Sequence, residues 1–182
     1  VYFPVPPEQA GPISVQVLPA GPDTPWEPIH RAQVSAINAA CKRVLLVTPY
    51  FVPSESAMMA LTSAALRGVD TALVVPRHSD NRLVTLAARS YLEDLARAGV
   101  RVYEYGPRML HSKALLLDDH ESIIGTSNFD TRSFSLNFEI VMLFRDKGVA
   151  ATLEKSFVAD MAGSVEVTKD SPKPDFASRF GQ

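Results

Sequence analysis

Apolar residues recur along this chain in two patterns, short runs that predict strands and helically spaced positions that predict helices. The predicted strands cover residues 13–18, 44–47, 69–75, 100–105, 113–117, 122–124 and 138–144. The predicted helices cover 28–40, a stretch capped by Ser54 that ends before Gly68, a stretch capped by Asp80 that ends at Gly99, and 149–161. Strands therefore alternate with helices over most of the chain.

A unit of helix, glycine, valine and strand occurs twice, at Gly68-Val69 and at Gly99-Val100. Such alternation predicts an α/β fold with a mostly parallel mixed sheet flanked by helices. Residues 1–12 are rich in proline and predict a linker, and residues 13–162 predict a single domain. The tail, residues 163–182, has no pattern that assigns it to the domain.

Composition is that of a soluble, globular chain of 182 residues, 46% hydrophobic and 21% charged. No apolar run approaches the roughly 18 residues of a membrane-spanning helix, and residues 1–7 do not resemble a secretory signal. The chain begins without Met, so we expect a fragment or a processed chain. Cys41 is the one cysteine, so no internal disulfide can form.

The balance of acidic and basic residues and the absence of metal-binding motifs argue against two further classes of function. The chain has 18 basic and 20 acidic residues, whereas a nonspecific nucleic-acid binder normally has a basic excess. No nucleic-acid partner is therefore expected. No H-x-x-x-H, C-x-x-C or acidic cluster is present, so we expect neither a metal nor another cofactor.

Candidate chemistry is concentrated in a histidine and a lysine two residues apart, His111 and Lys113, on a predicted strand that ends at Asp118. Side chains two apart on a strand lie on the same face. An imidazole would then lie beside an ammonium group, which places a nucleophile next to a binding group for an anion. Thr126 and Asn128 follow in Gly125-Thr126-Ser127-Asn128.

This H-x-K-x4-D pattern, followed by G-T-x-N, resembles the HKD motif of the phospholipase D superfamily. Residues 125–139, together with 48–53, 67–70 and 89–91, are similar to segments of bacterial cardiolipin synthases. The similarity extends over roughly residues 13–145 and corresponds to the C-terminal half of those enzymes. It implies a phospholipase D-like half-domain with one motif.

The resemblance implies a role for each candidate residue. His111, Lys113 and Asn128 would be catalytic, and Thr126 would line the phosphate pocket with them. Glu139 would orient His111 through the other ring nitrogen, as the acid of a serine-protease triad does. Asp118 is also part of the catalytic motif, but we assign it a mainly structural role. Arg77 and His78 are candidates for contact with a lipid head group.

The resemblance also implies a phosphatidyltransferase that condenses two phosphatidylglycerol molecules through a phosphohistidine, without a cofactor. A complete site needs two motifs, so the second lies on the same polypeptide, which we prefer, or on a second copy. The full-length protein is expected at the bacterial cell membrane. Two alternatives stay open: a phosphodiesterase or nuclease that works as a single-motif homodimer, and a noncatalytic interaction half.

Overall fold

The computed structural model describes residues 11–77 and 82–168, with only the backbone described for residues 82–87 and 89. Within these ranges the strands are Val15–Ala20 (β1), Arg43–Val47 (β2), Phe51–Val52 (β3), Asp70–Pro76 (β4), Arg101–Tyr105 (β5), Ala114–Leu117 (β6), Glu121–Gly125 (β7), Phe129–Asp130 (β8), Glu139–Arg145 (β9) and Ser164–Val167 (β10). The helices are Pro28–Ala39 (α1), Glu55–Leu66 (α2), Arg82–Arg97 (α3), Thr131–Ser135 (α4) and Lys147–Ala162 (α5).

Eight strands form one mixed sheet in the order β1-β9-β7-β6-β2-β4-β5-β10, and β3 pairs with β8 in a small second sheet. The predicted mixed α/β class is confirmed. The parallel part of the large sheet is smaller than predicted, because it comprises only β2, β4 and β5. The other neighbours in this sheet pair antiparallel. The ends of β1, β2, β4, β5 and β7 therefore share one edge of the sheet with the beginnings of β6, β9 and β10.

Helices cover the sheet on both faces, which explains why its inner strands are apolar without alternation. Helices α1, α2 and α3 contribute Ile37, Leu61 and Leu95 to the larger core cluster on one face. Helix α5 contributes Ala150 and Phe157 to the smaller cluster on the other face. The strand β6 is buried along its whole length between these two clusters.

Helix boundaries follow the capping signals in the sequence. The Ser54 hydroxyl accepts the backbone N–H of Ala57 at 3.2 Å, so the predicted cap of α2 is confirmed. Gly68 and Gly99, which follow α2 and α3, adopt positive φ angles of 86° and 96°, a conformation that favours glycine after a helix. The predicted cap Asp80 lies outside the described residues.

Several elements differ from the sequence prediction, and the short elements β3, β8 and α4 were not predicted. Strand β1 begins two residues later and ends two residues later than predicted, at Val15 and Ala20. The pattern did not predict β10, which lies in the predicted tail and pairs antiparallel with β5. The predicted strand at 113–117 begins one residue later, at Ala114, so Lys113 as well as His111 precedes β6.

Candidate active site

The candidate residues lie at the edge of the sheet where β6 begins, β7 ends and β9 begins. Lys113 directly precedes β6, Thr126 directly follows β7, and Glu139 is the first residue of β9. Gly125 allows the close approach of β7 and β9, because a Cβ at this position would lie 2.2 Å from the carbonyl oxygen of Ile140. The Thr126 N–H donates to the same carbonyl at 2.9 Å, which fixes its position beside Glu139.

His111 and Lys113 lie side by side, as their spacing predicted, although they are not on a strand. The Lys113 ammonium donates to His111 Nδ1 at 3.0 Å and to the His111 carbonyl oxygen at 2.9 Å. An ammonium group has no acceptor, so Nδ1 is the accepting nitrogen in this arrangement. His111 is exposed, and Nε2 forms no hydrogen bond with any residue that the structure describes.

Lys113 is a cation without a directly bonded carboxylate among the described residues. Burial lowers the pKa of Lys113 below its ordinary value, and the charges of Glu139 and Asp130 act in the opposite direction. The influence of Glu139 on this pKa indicates that its carboxylate is near Lys113. The ammonium is thus partly removed from water and available to an anion.

Glu139 does not form the contact that the resemblance implied. Its carboxylate accepts hydrogen bonds from the Thr126 hydroxyl and from Asn137 Nδ2, the latter at 3.1 Å. No hydrogen bond joins it to His111 in the described structure. The physical reason is local, since Thr126 lies across from the start of β9 and presents a hydroxyl donor to the carboxylate. Asn137 is a site residue that we did not single out from the sequence.

Thr126 and Asn128 differ in their capacity to bind a ligand. The hydroxyl of Thr126 has one proton, which it donates to Glu139, and it accepts the N–H of Ile140 at 2.9 Å. The side-chain oxygen of Asn128 is buried and forms no hydrogen bond within the described part of the chain. Because a buried amide oxygen normally accepts a hydrogen bond, Asn128 has an unused acceptor at this position.

A second loop reaches the site from the end of β2. The Tyr50 ring meets the His111 ring edge-on, with 6.3 Å between centroids. The Thr48 hydroxyl donates to the Tyr50 carbonyl oxygen at 2.8 Å and accepts the N–H of Phe129 at 3.0 Å. Phe129 stacks on Phe51 at 5.9 Å, so the Tyr50 loop and the segment after Asn128 are held together. We did not single out Tyr50 from the sequence; the aromatic residues directly after the buried strand β2 are the signal that could have identified it.

Asp118 lies at the other end of β6, away from His111. Its carboxylate accepts the backbone N–H groups of Cys41, Lys42 and Arg43 at 3.1, 2.7 and 3.2 Å. Burial raises the pKa of Asp118, but these hydrogen bonds outweigh burial and hold the pKa below its usual value. Asp118 therefore joins the start of β2 to the turn between β6 and β7.

Arg77 follows β4 at the same edge of the sheet as the site. Strand β2 lies between β4 and β6, which places Arg77 two strand positions from the motif, on the order of 10 Å. Arg77 is exposed, and its N–H donates to the carbonyl oxygen of Tyr105 at 2.8 Å. The predicted head-group residue His78 lies outside the described residues.

Two features are absent from the described residues. No group of three or more histidine, cysteine or acidic side chains there is arranged to hold a metal ion. None of the helices in these ranges combines the length and the apolar character that crossing a membrane requires.

Comparison with known proteins gives consistent similarities. Residues 34–161 match the family model described as "Cardiolipin synthase, PLD-like domain". The chain is 42% identical over 146 residues to cardiolipin synthase A of Serratia proteamaculans, and 43% identical over 140 residues to that of Yersinia pseudotuberculosis. These matches include 80% and 77% of this chain but only 30% and 29% of the relatives. The chain thus spans under a third of the length of those proteins.

Solved structures share the fold at lower identity. The phospholipase D family member Nuc from Salmonella typhimurium superposes with a TM-score of 0.73 and 21% identity, over 86% of this chain and 99% of that one. Phosphatidylserine synthase from Haemophilus influenzae superposes with a TM-score of 0.71 and 15% identity, over 88% of this chain and 42% of that one. At such identities the likeness shows the fold alone.

Proposed function

The chain belongs to the family of phospholipase D-like domains of cardiolipin synthases, and from this we propose that it carries one half of an active site that condenses two phosphatidylglycerol molecules. The observation that carries this proposal is the Lys113 ammonium 3.0 Å from His111 Nδ1, without a bonded carboxylate among the described residues. A cation held beside an exposed imidazole suits a phosphodiester, which bears one negative charge.

The reaction would proceed in two displacements at phosphorus. A nitrogen of one motif histidine attacks the phosphodiester, the bond to the glycerol head group breaks, and the leaving oxygen takes a proton from an acid on the opposite side. The hydroxyl of a second phosphatidylglycerol then attacks the phosphohistidine, passes its proton to the same group and releases the histidine. The products are cardiolipin and glycerol, and no metal or organic cofactor takes part.

The other site residues would stabilise charge on the phosphate oxygens in the transition state. Lys113 supplies a full positive charge, held before the substrate arrives by its hydrogen bonds to His111, and Asn128 supplies the amide donor Nδ2. Thr126 can donate to a phosphate oxygen only by giving up its hydrogen bond to Glu139. We therefore assign Glu139 to holding Thr126 and Asn137 and to keeping Lys113 protonated, in place of the direct contact with His111.

A single motif does not supply both the nucleophile and the acid for an in-line displacement. His111 acts on one side of the phosphorus, and the leaving oxygen is on the other. We propose that the second motif comes from another part of the same polypeptide, at the bacterial cell membrane where the substrate lies. The fraction of the relatives' length that this chain spans supports this arrangement.

The test compares this chain with a longer protein that carries both motifs, using phosphatidylglycerol radiolabelled at phosphorus. In the longer protein, His111→Asn should abolish turnover, whereas His120→Asn, in an exposed turn, should not. Glu139→Gln should lower the rate by a large factor without unfolding the protein. Whichever motif histidine is the nucleophile should retain an acid-labile label after rapid quenching.

Four results would contradict the proposal. The first is full turnover by a monomer of this chain alone. The second is turnover that rises with dimer content, which favours a single-motif homodimer. The third is loss of activity on adding a chelator with recovery on adding a divalent ion, which contradicts a mechanism that depends on histidine and lysine. Folded variants that lack any effect on turnover would favour a noncatalytic half.

A further inference from the structure

Helix α1 carries a glutamine on the side that packs against the sheet. Its buried residues, Ile29, His30, Gln33 and Ile37, follow one stripe of the helix. Gln33 is only 5% exposed, and its side-chain oxygen Oε1 is buried and accepts no hydrogen bond from any residue that the structure describes. A buried oxygen without a donor is unfavourable, which indicates a bound molecule that donates to it.

Gln33 lines a small cavity between α1 and the edge of the sheet that carries the candidate site. The cavity has a volume of about 10 Å³, which is about the space that a single water molecule needs. Its other polar residues are Thr48, after β2, Lys113, before β6, and Ser127, after β7. Lys113 therefore borders both the cavity and the candidate site.

The two hydroxyl groups that line the cavity already donate their protons elsewhere. The Thr48 hydroxyl donates to the Tyr50 carbonyl oxygen at 2.8 Å, and the Ser127 hydroxyl donates to the Asn128 carbonyl oxygen at 3.3 Å. A hydroxyl oxygen can accept two hydrogen bonds, and Thr48 accepts one, from the Phe129 N–H. Together with the glutamine oxygen, the two hydroxyls therefore offer acceptors to a molecule in the cavity.

Lys113 offers a donor to the same cavity. Its ammonium has three N–H groups, and two of them bond the carbonyl oxygen and Nδ1 of His111. The ammonium would repel a cation in the cavity, and the acceptor oxygens would repel an anion. Water both donates and accepts hydrogen bonds, so it is the small molecule that complements this lining.

We propose that one water molecule occupies this cavity, donates to Gln33 Oε1 and accepts the third N–H of the Lys113 ammonium. Its second proton goes to one of the hydroxyl oxygens of Thr48 and Ser127, which gives the water three partners, the usual number for a buried water. Gln33 touches no substrate in this arrangement. It is a positioning residue that acts on Lys113 through the water.

The water holds the Lys113 ammonium beside His111 before a phosphodiester arrives. When the phosphodiester binds, one of its oxygens replaces one of the two His111 acceptors, and the water keeps the ammonium in place. Because water is neutral, Lys113 retains its full charge for the anion, which a bonded carboxylate would weaken. The inference rests on the proposed function for the role of Lys113, but the water can be detected without turnover.

NMR of the isotopically labelled chain detects such a water directly. A water molecule held inside the protein gives cross-peaks to neighbouring protons, and we expect them at the methyl groups of Ile123 and Val141, which line the cavity. Gln33→Leu replaces the acceptor with an apolar group of similar size, so these cross-peaks should be lost. Gln16→Leu is the matched control, because Gln16 is exposed on β1, and it should keep them.

The pKa of Lys113 distinguishes a positioning role of Gln33 from a merely structural one. A hydrogen bond from the ammonium to the water favours the charged form, so Gln33→Leu should lower this pKa relative to the unchanged chain. Glu139 and Asp130, whose charges raise the pKa, and His111, which bonds the ammonium, are unaltered in this variant. NMR of 13C-labelled lysine measures the pKa, and in a protein with both motifs the alkaline limb of turnover should move to lower pH.

Absence of the cross-peaks in the unchanged chain would show that the cavity is dry and would overturn the proposal. Cross-peaks that persist in folded Gln33→Leu, or a pKa of Lys113 that does not fall in this variant, would overturn the role of Gln33. A longer protein that holds the water but has no transferase activity contradicts the proposed function alone.

Discussion

Asp118 is the third residue of the motif, and substituting it distinguishes between a structural and a catalytic role. Three backbone N–H groups, of Cys41, Lys42 and Arg43, lose their acceptor in Asp118→Ala. A buried hydrogen bond to a charged group contributes about 1.5–3 kcal/mol, and we take about 1 kcal/mol for each bond because Asp118 is half-buried. The loss is then about 3 kcal/mol.

The backbone of Asp118 adds a smaller term. Its φ is 53°, a left-handed conformation that Asp, Asn and Gly tolerate better than Ala. Asp118→Ala should therefore lower the free energy of unfolding by about 3–4 kcal/mol. Asp118→Asn keeps an oxygen acceptor and the tolerated backbone conformation, but neutral hydrogen bonds are about half as strong. Its cost should be about 1.5 kcal/mol.

The difference in stability between the unchanged chain and Asp118→Asn should depend on pH, because the pKa of Asp118 is lowered in the folded protein. A carboxyl group whose pKa is lower in the folded state stabilises the fold above its unfolded-state pKa. That contribution is lost as the pH falls through the folded-state pKa. The stability difference between the unchanged chain and Asp118→Asn should therefore be full at neutral pH and should shrink in acid.

Urea unfolding followed by far-ultraviolet circular dichroism measures each of these values. Asp119→Asn is the control, because Asp119 is exposed and bonds only side chains. In a protein with both motifs, Asp118→Asn should keep most of its turnover once it is folded. A cost under about 1 kcal/mol for Asp118→Ala would refute the hydrogen-bond reasoning. Turnover lost as completely as in His111→Asn, with unchanged stability, would show a catalytic role.

Two further substitutions test the close approach of the strands and the cost of the unpaired cation. Gly125→Ala should separate β7 from β9 and lower the free energy of unfolding, measured in urea, by about 3 kcal/mol. Gly106→Ala is the control, because its Cβ would have no atom nearer than 4.0 Å, and it should change the free energy of unfolding little. Burial lowers the pKa of Lys113 in the folded protein. At a pH below this folded-state pKa, the buried charge therefore lowers the stability of the fold. This cost disappears as the pH rises past the pKa that Lys113 has in the unfolded chain. Lys113→Met should accordingly raise the urea midpoint at neutral pH while turnover is lost, and a lowered midpoint would contradict this sign.

Local signals predicted the elements of the sheet better than its order. The caps at Ser54 and Gly68 and the apolar run of β6 depend on neighbouring residues, and the structure has them within a residue or two of prediction. Strand β10 has only four residues and pairs with β5, about 60 positions earlier, so nothing local distinguishes it from a loop. The parallel part of the sheet was overestimated because pairing between distant strands is decided by tertiary packing.

At the site, sequence spacing predicted the contact between His111 and Lys113 but not the partner of Glu139. His111 and Lys113 are only two residues apart, so their side chains remain close enough to hydrogen-bond even though they lie outside a strand. Glu139 is 28 positions from His111 in the chain, and its partner depends on how β9 is positioned against β7. There the Thr126 hydroxyl is the donor that the structure places at the Glu139 carboxylate, and it donates a hydrogen bond to it.

The arrangement around Lys113 leaves its positive charge available to an anion while a nearby carboxylate favours its protonated form. A direct salt bridge would satisfy the ammonium and weaken its attraction for a phosphodiester. Glu139 instead bonds Thr126 and Asn137, yet its charge still opposes the effect of burial on the pKa of Lys113. Lys113 can then remain protonated and free of a bonded carboxylate beside His111.

The segment 136–139 alternates between side chains that belong to this electrostatic arrangement and side chains that are exposed. Asn137 and Glu139 turn inward because their polar groups bond each other, and strand-like alternation then forces Leu136 and Phe138 outward. A change in the register of β9 by one residue would therefore turn Asn137 and Glu139 outward and bring Leu136 and Phe138 towards Thr126. The close contact of Gly125 with Ile140 and Val141 fixes that register, so a glycine without any chemistry of its own determines which side chains of the segment 136–139 face Thr126.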